Sequence, residues 1–165
     1  MRLDLHEIIQ IPGGKVSFDY EPDLQGLTFD SVKGFLPGAR AVGRVENHAG
    51  VLVLTAELTV PMLCVCARCL KEFERVFHRS IEAVLATECE DEDDPDIFLL
   101  DGDYIETDEV VVTAFVLNME QRFLCREDCR GLCEKCGKNL NEGPCNCRAE
   151  VDPRLAVLGQ LLEKE

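Results

Sequence analysis

Residues 51–85 read VLVLTAELTVPMLCVCARCLKEFERVFHRSIEAVL, and this stretch decides how the chain folds. Leu52, Leu54, Ala56, Leu58 and Val60 fall on alternate positions, the period of a strand with one buried face. The run 41–46 precedes it across Asn47-His48-Ala49-Gly50, whose residue types favour a turn, so the two runs read as a hairpin. Downstream, Cys66-x2-Cys69 has the spacing of a metal-binding knuckle, and a knuckle can form the tip of an antiparallel hairpin. Phe73, Phe77, Ile81 and Leu85 then recur every four residues, a spacing that puts them on one face of a strand or of a helix. A strand pairs back on 51–60 through the knuckle and is the reading taken here, with a helix as the alternative.

Working outward toward the start, residues 2–9 read as a short strand. A break follows at Pro12-Gly13-Gly14, and a second extended run covers 16–20. Residues 21–40 carry little pattern. On the other side, residues 88–109 hold twelve acids and no Lys or Arg. Like charges at that density repel one another and read as a solvated acidic loop, placed at 88–106. A carboxylate metal site is the sharper reading of Glu90-Asp-Glu-Asp-Asp94, but the run lacks the glycine and terminal glutamate of a calcium loop. Thr107 is a candidate cap for a helix with Asp108 and Glu109 in its first turn, where carboxylates meet the positive end of the dipole. Val111, Phe115 and Met119 line one face of it and Phe123 continues that face, although Val110-Val111-Val112 favours a strand. A helix running on this far puts Cys125 and Cys129 at i and i+4, on one side.

Residues 125–147 read CREDCRGLCEKCGKNLNEGPCNC and hold six of the ten cysteines. Cys133-x2-Cys136-x8-Cys145-x-Cys147 suits tetrahedral zinc. The tight Cys-x2-Cys turn aims two sulfurs at one point, and Gly137 supplies the permissive backbone just after it. Cys145 and Cys147 share one face of an extended segment. Asn139, Asn141, Gly143 and Pro144 are turn formers that let the second pair fold back on the first. The two leftover pairs, Cys66 with Cys69 and Cys125 with Cys129, make a second four-sulfur site, and a different grouping of the six C-terminal cysteines is the alternative. Cys64 and Cys89 have no assigned partner. At the end of the chain, Asp152-Pro153 reads as a helix start with Leu155, Leu158 and Leu162 as its apolar stripe.

At 165 residues the chain is long enough to bury a core. It shows no basic-then-apolar leader and no span long enough for a bilayer, so a cytoplasmic protein is expected, with no membrane contact. In a reducing compartment, clustered cysteines point to Zn2+ rather than to structural disulfides. The net charge of −15 is concentrated in the acidic stretch. Around the cysteines, Arg122, Arg126, Arg130, Lys135, Lys138 and Arg148 outnumber Glu127, Asp128, Glu134 and Glu142. Those bases balance the −2 of a zinc tetrathiolate, and the stripe is too short and too poor in aromatics for a phosphate-gripping patch. Phosphate-binding and nucleophile-elbow motifs are absent, and His6, His48 and His78 stand apart from one another. The protein is therefore expected not to be an enzyme, and no small-molecule substrate is evident. The competing class is a thiol-disulfide redox protein or sensor using Cys66 and Cys69.

The combination of CARCL at 66–70, the cysteine block at 125–147 and DPRLAVL at 152–158 resembles the bacterial YceD family. The resemblance implies a cytosolic protein associated with accumulation of large-subunit ribosomal RNA. It also implies that the full C-terminal cluster, which some members lack, is a stabilising addition rather than the shared activity. The resulting expectation is an α+β fold: an antiparallel β-rich domain with one or two helices and a C-terminal Cys-rich zinc module. Residues 1–87 form the strand domain with its Cys66-x2-Cys69 knuckle, 88–106 the acidic loop, and 107–165 a helix, the zinc module and a C-terminal helix. Expected ligands are Cys66, Cys69, Cys125, Cys129, Cys133, Cys136, Cys145 and Cys147. The expected partner is a ribosomal protein or a large-subunit assembly intermediate, with rRNA contact weak or indirect.

Overall fold

The computed structural model describes residues 1–87 and 97–147. Its centre is a long hairpin of β5 (Val51–Val65) and β6 (Glu72–Ala86), in register from Leu52 opposite Leu85 to Val65 opposite Glu72. Residues 73–85 are thus strand, as their pairing partner requires. β4 (Arg40–His48) flanks β5 on its other side, and β2 (Lys15–Tyr20) flanks β4. The β4–β5 turn is two residues, Ala49 and Gly50, both with positive φ (55° and 100°). Such turns match the twist of the strands they join.

β3 (Val32–Phe35), in the region that carries little sequence pattern, pairs with residues 62–64 of β5 just beyond the end of β4. β7 (Ile97–Leu99) adds to β6 in parallel, giving a six-stranded sheet otherwise antiparallel, in the order β2-β4-β5-β6-β7 with β3 beside β5. The described part of the stretch read as an acidic loop is therefore not all loop, because it holds β7 and also β8 (Tyr104–Glu106). Alternating Phe98 and Leu100 pack on the core and Ile105 is buried, which outweighs the acids between them. Residues 88–96, with Cys89, lie outside the described residues, as does the expected C-terminal helix with Asp152, Leu155, Leu158 and Leu162.

The start of the chain also departs from expectation. Only Arg2–Asp4 is strand (β1), paired with β8, and residues His6–Ile9 form a helical turn (α1). Leu5 and Ile8, one turn apart, are both buried, which a straight strand would not allow. Buried Asn47 holds this turn: its Nδ2 donates to the carbonyls of Ile8 and Ile9 at 2.8 Å each, and its Oδ1 accepts from Gly50 N–H at 2.7 Å.

α2 (Thr107–Leu117) packs across the sheet. Val110, Val111 and Phe115 are buried, and this tertiary burial overrides the weak helix propensity of the valines. Phe115 is met edge-on by Phe29, Phe35 and Phe77, with ring centroids 5.8, 5.8 and 5.0 Å away. Thr107 is not the cap. It is the first helical residue and fully buried, and its hydroxyl donates to the Met1 carbonyl at 2.9 Å. The helix stops at Leu117, so Phe123, Cys125 and Cys129 are not on it. The Asn118 side chain closes the end by donating to the Ala114 carbonyl at 2.8 Å.

Gly43, in the middle of β4, lets Phe18 lie flat against the sheet. A Cβ there would sit 2.4 Å from the Thr55 carbonyl oxygen and 2.7 Å from both Ala56 Cβ and Phe18 Cζ. Gly43→Ala is expected to destabilise the fold by about 1–3 kcal/mol, the usual cost of overpacking. Denaturant unfolding checks this, and an unchanged midpoint would contradict it.

Candidate metal centres

Eight cysteines converge in two groups of four. Cys66, Cys69, Cys125 and Cys129 form the first, and Cys133, Cys136, Cys145 and Cys147 the second; within each group the sulfurs lie within 4.8 Å of one another. In the first group Cys66 and Cys129 sulfurs are 3.8 Å apart, and Cys69 and Cys125 sulfurs 3.6 Å apart. A tetrahedron with zinc–sulfur bonds of about 2.3 Å has edges of about 3.8 Å, so these two separations suit one tetrahedral ion. Of the groupings open in the sequence, the structure has this one.

Two knuckles of one design build the sites. Cys66 N–H donates to the Lys71 carbonyl at 2.9 Å and Leu70 N–H to the Cys66 carbonyl at 2.9 Å. At the second site Cys133 N–H donates to Lys138 at 2.8 Å and Gly137 N–H to Cys133 at 2.8 Å. Both turns need a left-handed residue after the second cysteine: Gly137 has φ 70° and Leu70 has φ 58°. The first knuckle is the hairpin tip, held at the last paired residues Val65 and Glu72.

The remaining ligands of the first site arrive along a segment that bridges to Cys66 at Phe123, where Ala67 N–H donates to the Phe123 carbonyl at 2.8 Å. Arg75 stacks over the Phe123 ring at 5.0 Å and pairs with Glu120 at 2.8 Å, fixing the approach. Arg68, between the knuckle cysteines, donates to the Cys129 carbonyl at 2.9 Å. The chain then crosses the knuckle so closely that a Cβ on Gly131 (φ 75°) would lie 2.9 Å from the Arg68 carbonyl oxygen, which Leu132 N–H reaches at 3.0 Å. Arg68, Leu70 and Gly131 are parts of the site that the sequence reading missed. Leu70 was legible by analogy, since it stands where Gly137 stands in the other knuckle.

The sulfurs are electrically frustrated without a cation. Burial would push the Cys66 thiol up, but the backbone N–H groups of Cys125, Cys69 and Arg68 outweigh it and bring it to about 6. Cys125, by contrast, is pushed up to about 12 by burial and by the neighbouring thiols of Cys69, Cys66 and Cys129. The second site repeats the split. Backbone N–H groups of Cys136 and Lys135 lower Cys133 to about 6, and Cys136 first, with burial next, raises Cys147 to about 12. Each group thus holds a thiol lowered by backbone donors beside one raised by burial and by its neighbouring thiols. A divalent ion removes the repulsion among thiolates and takes four at once. Cys64 joins neither group. It is buried in the sheet core between Val32 and Phe73, and burial raises its thiol.

The fold and the cysteine groups define a β-sheet protein with two sets of four cysteines that could each hold a metal ion. The chain belongs to the family described as large ribosomal RNA subunit accumulation protein YceD, whose profile matches residues 54–162. It is 26% identical over 126 residues to uncharacterised proteins of Mycobacterium tuberculosis and Mycobacterium bovis, an alignment covering 74% of this chain and 61% of theirs. It is 25% identical to the uncharacterised Bacillus subtilis protein YlbN over 171 residues, 100% of this chain and 98% of that one. The chain thus spans about three fifths of the length of the mycobacterial relatives. No solved structure matches it.

Leu70 is 64% exposed, so its side chain contributes little packing to offset a left-handed backbone. Leu70→Gly is expected to stabilise the chain by about 1 kcal/mol and Gly137→Ala to destabilise the second site by a similar amount, both read by thermal unfolding of the metal-loaded protein. Bound metal is also expected to be lost as pH falls, because each ligand must shed its proton and acid returns it. A metal content that is flat between neutral pH and pH 4 would contradict thiolate ligation.

Proposed function

We propose that this chain is a non-enzymatic, zinc-stabilised cytoplasmic factor that supports accumulation of large-subunit ribosomal RNA by contacting a protein of the assembling subunit. The family match carries the biology, and the convergence of eight sulfurs into two tetrahedral cages carries the metal. Zinc is the ion such all-thiolate cages suit, with no open position for substrate and hence a structural rather than catalytic use. No helix among the described residues is long and apolar enough to cross a membrane.

A protein contact is favoured over direct rRNA contact by how the bases near the cages are employed. Arg68 is bonded to main-chain carbonyls at 129 and 127, Arg126 to Asp128 and Asn141, and Lys138 to the Pro144 carbonyl. Two zinc tetrathiolates add further negative charge beside them. Phosphate gripping needs a surplus of available Lys and Arg. The acidic stretch at 88–109 instead suits a basic protein, and opposite charges hasten such an encounter and make it salt-sensitive.

Metal analysis of the purified chain is expected to return two zinc ions, falling to one on Cys66→Ser with Cys69→Ser. In cells lacking the native protein, that variant is expected to restore less large-subunit rRNA than the unaltered chain. Basic ribosomal proteins should bind more tightly than rRNA fragments at physiological salt, and binding should weaken when Asp91, Asp93 and Asp94 are replaced by Asn. A metal-free protein that cycles a Cys66–Cys69 disulfide would favour the thiol redox reading instead. Tight binding of naked rRNA would overturn the partner assignment.

A further inference from the structure

We infer that Asn141 is a positioning residue through which the Cys133–Cys136–Cys145–Cys147 centre tightens the Cys66–Cys69–Cys125–Cys129 centre, so that the two metals are held cooperatively. The inference rests on the reading of both groups as metal sites. Asn141 lies in the span between Cys136 and Cys145, so its place is set by a loop whose two ends are ligands of the second centre. Its side chain nevertheless serves the first. Nδ2 donates to the Cys129 sulfur at 3.3 Å.

The orientation of that amide is fixed on every side. Nδ2 also donates to Asn139 Oδ1 at 2.8 Å, and Oδ1 accepts from Arg130 N–H at 2.8 Å and from the Arg126 guanidinium at 2.7 Å. Turning the amide over would set oxygen against Asn139 oxygen and against sulfur, and would face its NH2 with two donors, so only one orientation satisfies the network. The loop that carries it is tied to the first centre's own chain, since Leu140 N–H donates to the Gly131 carbonyl at 2.9 Å and Leu132 bridges Asn139.

A donor on a ligand sulfur stabilises the thiolate form and holds the sulfur in place. Outer partners of this kind typically change metal affinity about 10–100-fold when removed. Ordering of the loop by the second metal presents the donor, and release of that metal lets it drift from Cys129. By linkage the effect is reciprocal, so a filled first centre also steadies the second. The two cages differ in accessibility, which sets the sequence of events. Cys66, Cys69 and Cys129 are buried, whereas Cys136 and Cys147 are exposed. The second centre gives up its ion first, and with the first centre still filled it does so more slowly than it would alone.

The test follows release of cobalt(II), and separately zinc, from the full chain into excess chelator, using the thiolate-to-cobalt absorption bands as readout. The unaltered chain should release two ions in two phases. Asn141→Ala should retain two ions but release the faster one about tenfold or more faster still. Asn141→Asp, similar in size but presenting oxygen to the sulfur, should do the same, while the sheet's own unfolding transition stays in place. Cys66→Ser with Cys69→Ser should bind one ion and release it as fast as the fast phase of Asn141→Ala, and adding Asn141→Ala to that pair should change little further. A fast phase unaltered by either Asn141 variant overturns the inference, as do fully additive effects. Should the double serine chain not fold, the two Asn141 variants decide alone. An unaltered chain that binds no metal sinks the metal reading itself, a result distinct from either of these.

Discussion

The pairing of β5 with β6 is the constraint on which the rest depends. Side chains alternate along a strand, so one register commits Leu52, Leu54, Ala56, Leu58, Val60, Met62 and Cys64 to the core together, and a slip of one residue would turn them all to solvent. The same phase decides the fate of the cysteines. Cys64 and Cys66 are both on the inward phase, but Cys64 still has Phe73 opposite it, whereas Cys66 lies past the last pair, Val65 with Glu72. One sulfur is therefore a core atom and the next a candidate ligand. The hairpin ends where the knuckle's own hydrogen bonds take over, and the position of the first four-cysteine group follows from strand length.

The centre of the fold was legible because period-two alternation and a turn of Asn, Gly and small residues are local signals. The division of eight cysteines into two fours was one of the groupings the spacing left open, and the fold brings the sulfurs together in that one. Elements held by distant partners were not legible. β3 has no alternation of its own and exists because β4 ends at Arg40, opposite Thr59, and leaves that edge of β5 open for β3 to pair at 62–64. α1 replaces strand because Asn47, far along the chain, supplies donors to its carbonyls. The end of α2 at Leu117 was hidden by Phe123, whose apolar spacing continues the helical face although its burial comes from bridging Cys66. Periodicity reports that a residue is buried, not which element buries it.

Charge is also arranged along the hairpin, and the acids of the described part are not merely solvated. Asp101 bonds Arg2 at 2.9 Å and Asp103 bonds His6 at 2.8 Å, which draws β1 and α1 onto β8. These contacts are exposed, and exposed ion pairs stabilise weakly. They act on register and approach more than on stability, the strength there coming from Leu3, Leu5 and Ile105 beneath them. At the opposite end the bases serve the backbone around the sulfurs.

The two ends of the molecule are consequently held by different physics. The sheet and α2 share one continuous apolar core, from Leu3 to Phe123, whereas the knuckle end has a separate cluster in which Cys66, Cys69 and Cys129 are the buried members. Among the described residues, only Phe73, Leu124, Cys125 and Leu132 pack around those sulfurs, each partly exposed. Fixing a residue's backbone costs about 1–2 kcal/mol, and residues 125–147 contain no helix or strand to share that cost through a regular ladder. A fully buried leucine returns about 1.5–3 kcal/mol, and half-buried ones less. Apolar contact is too little to order this segment. A structural zinc ion contributes about 10–16 kcal/mol in small modules, so ions in the two four-cysteine groups would supply a large part of what is missing. The sheet folds by excluding water from leucines and phenylalanines, whereas the cysteine end, with buried sulfurs but few apolar partners, would be held by ions in its two four-cysteine groups.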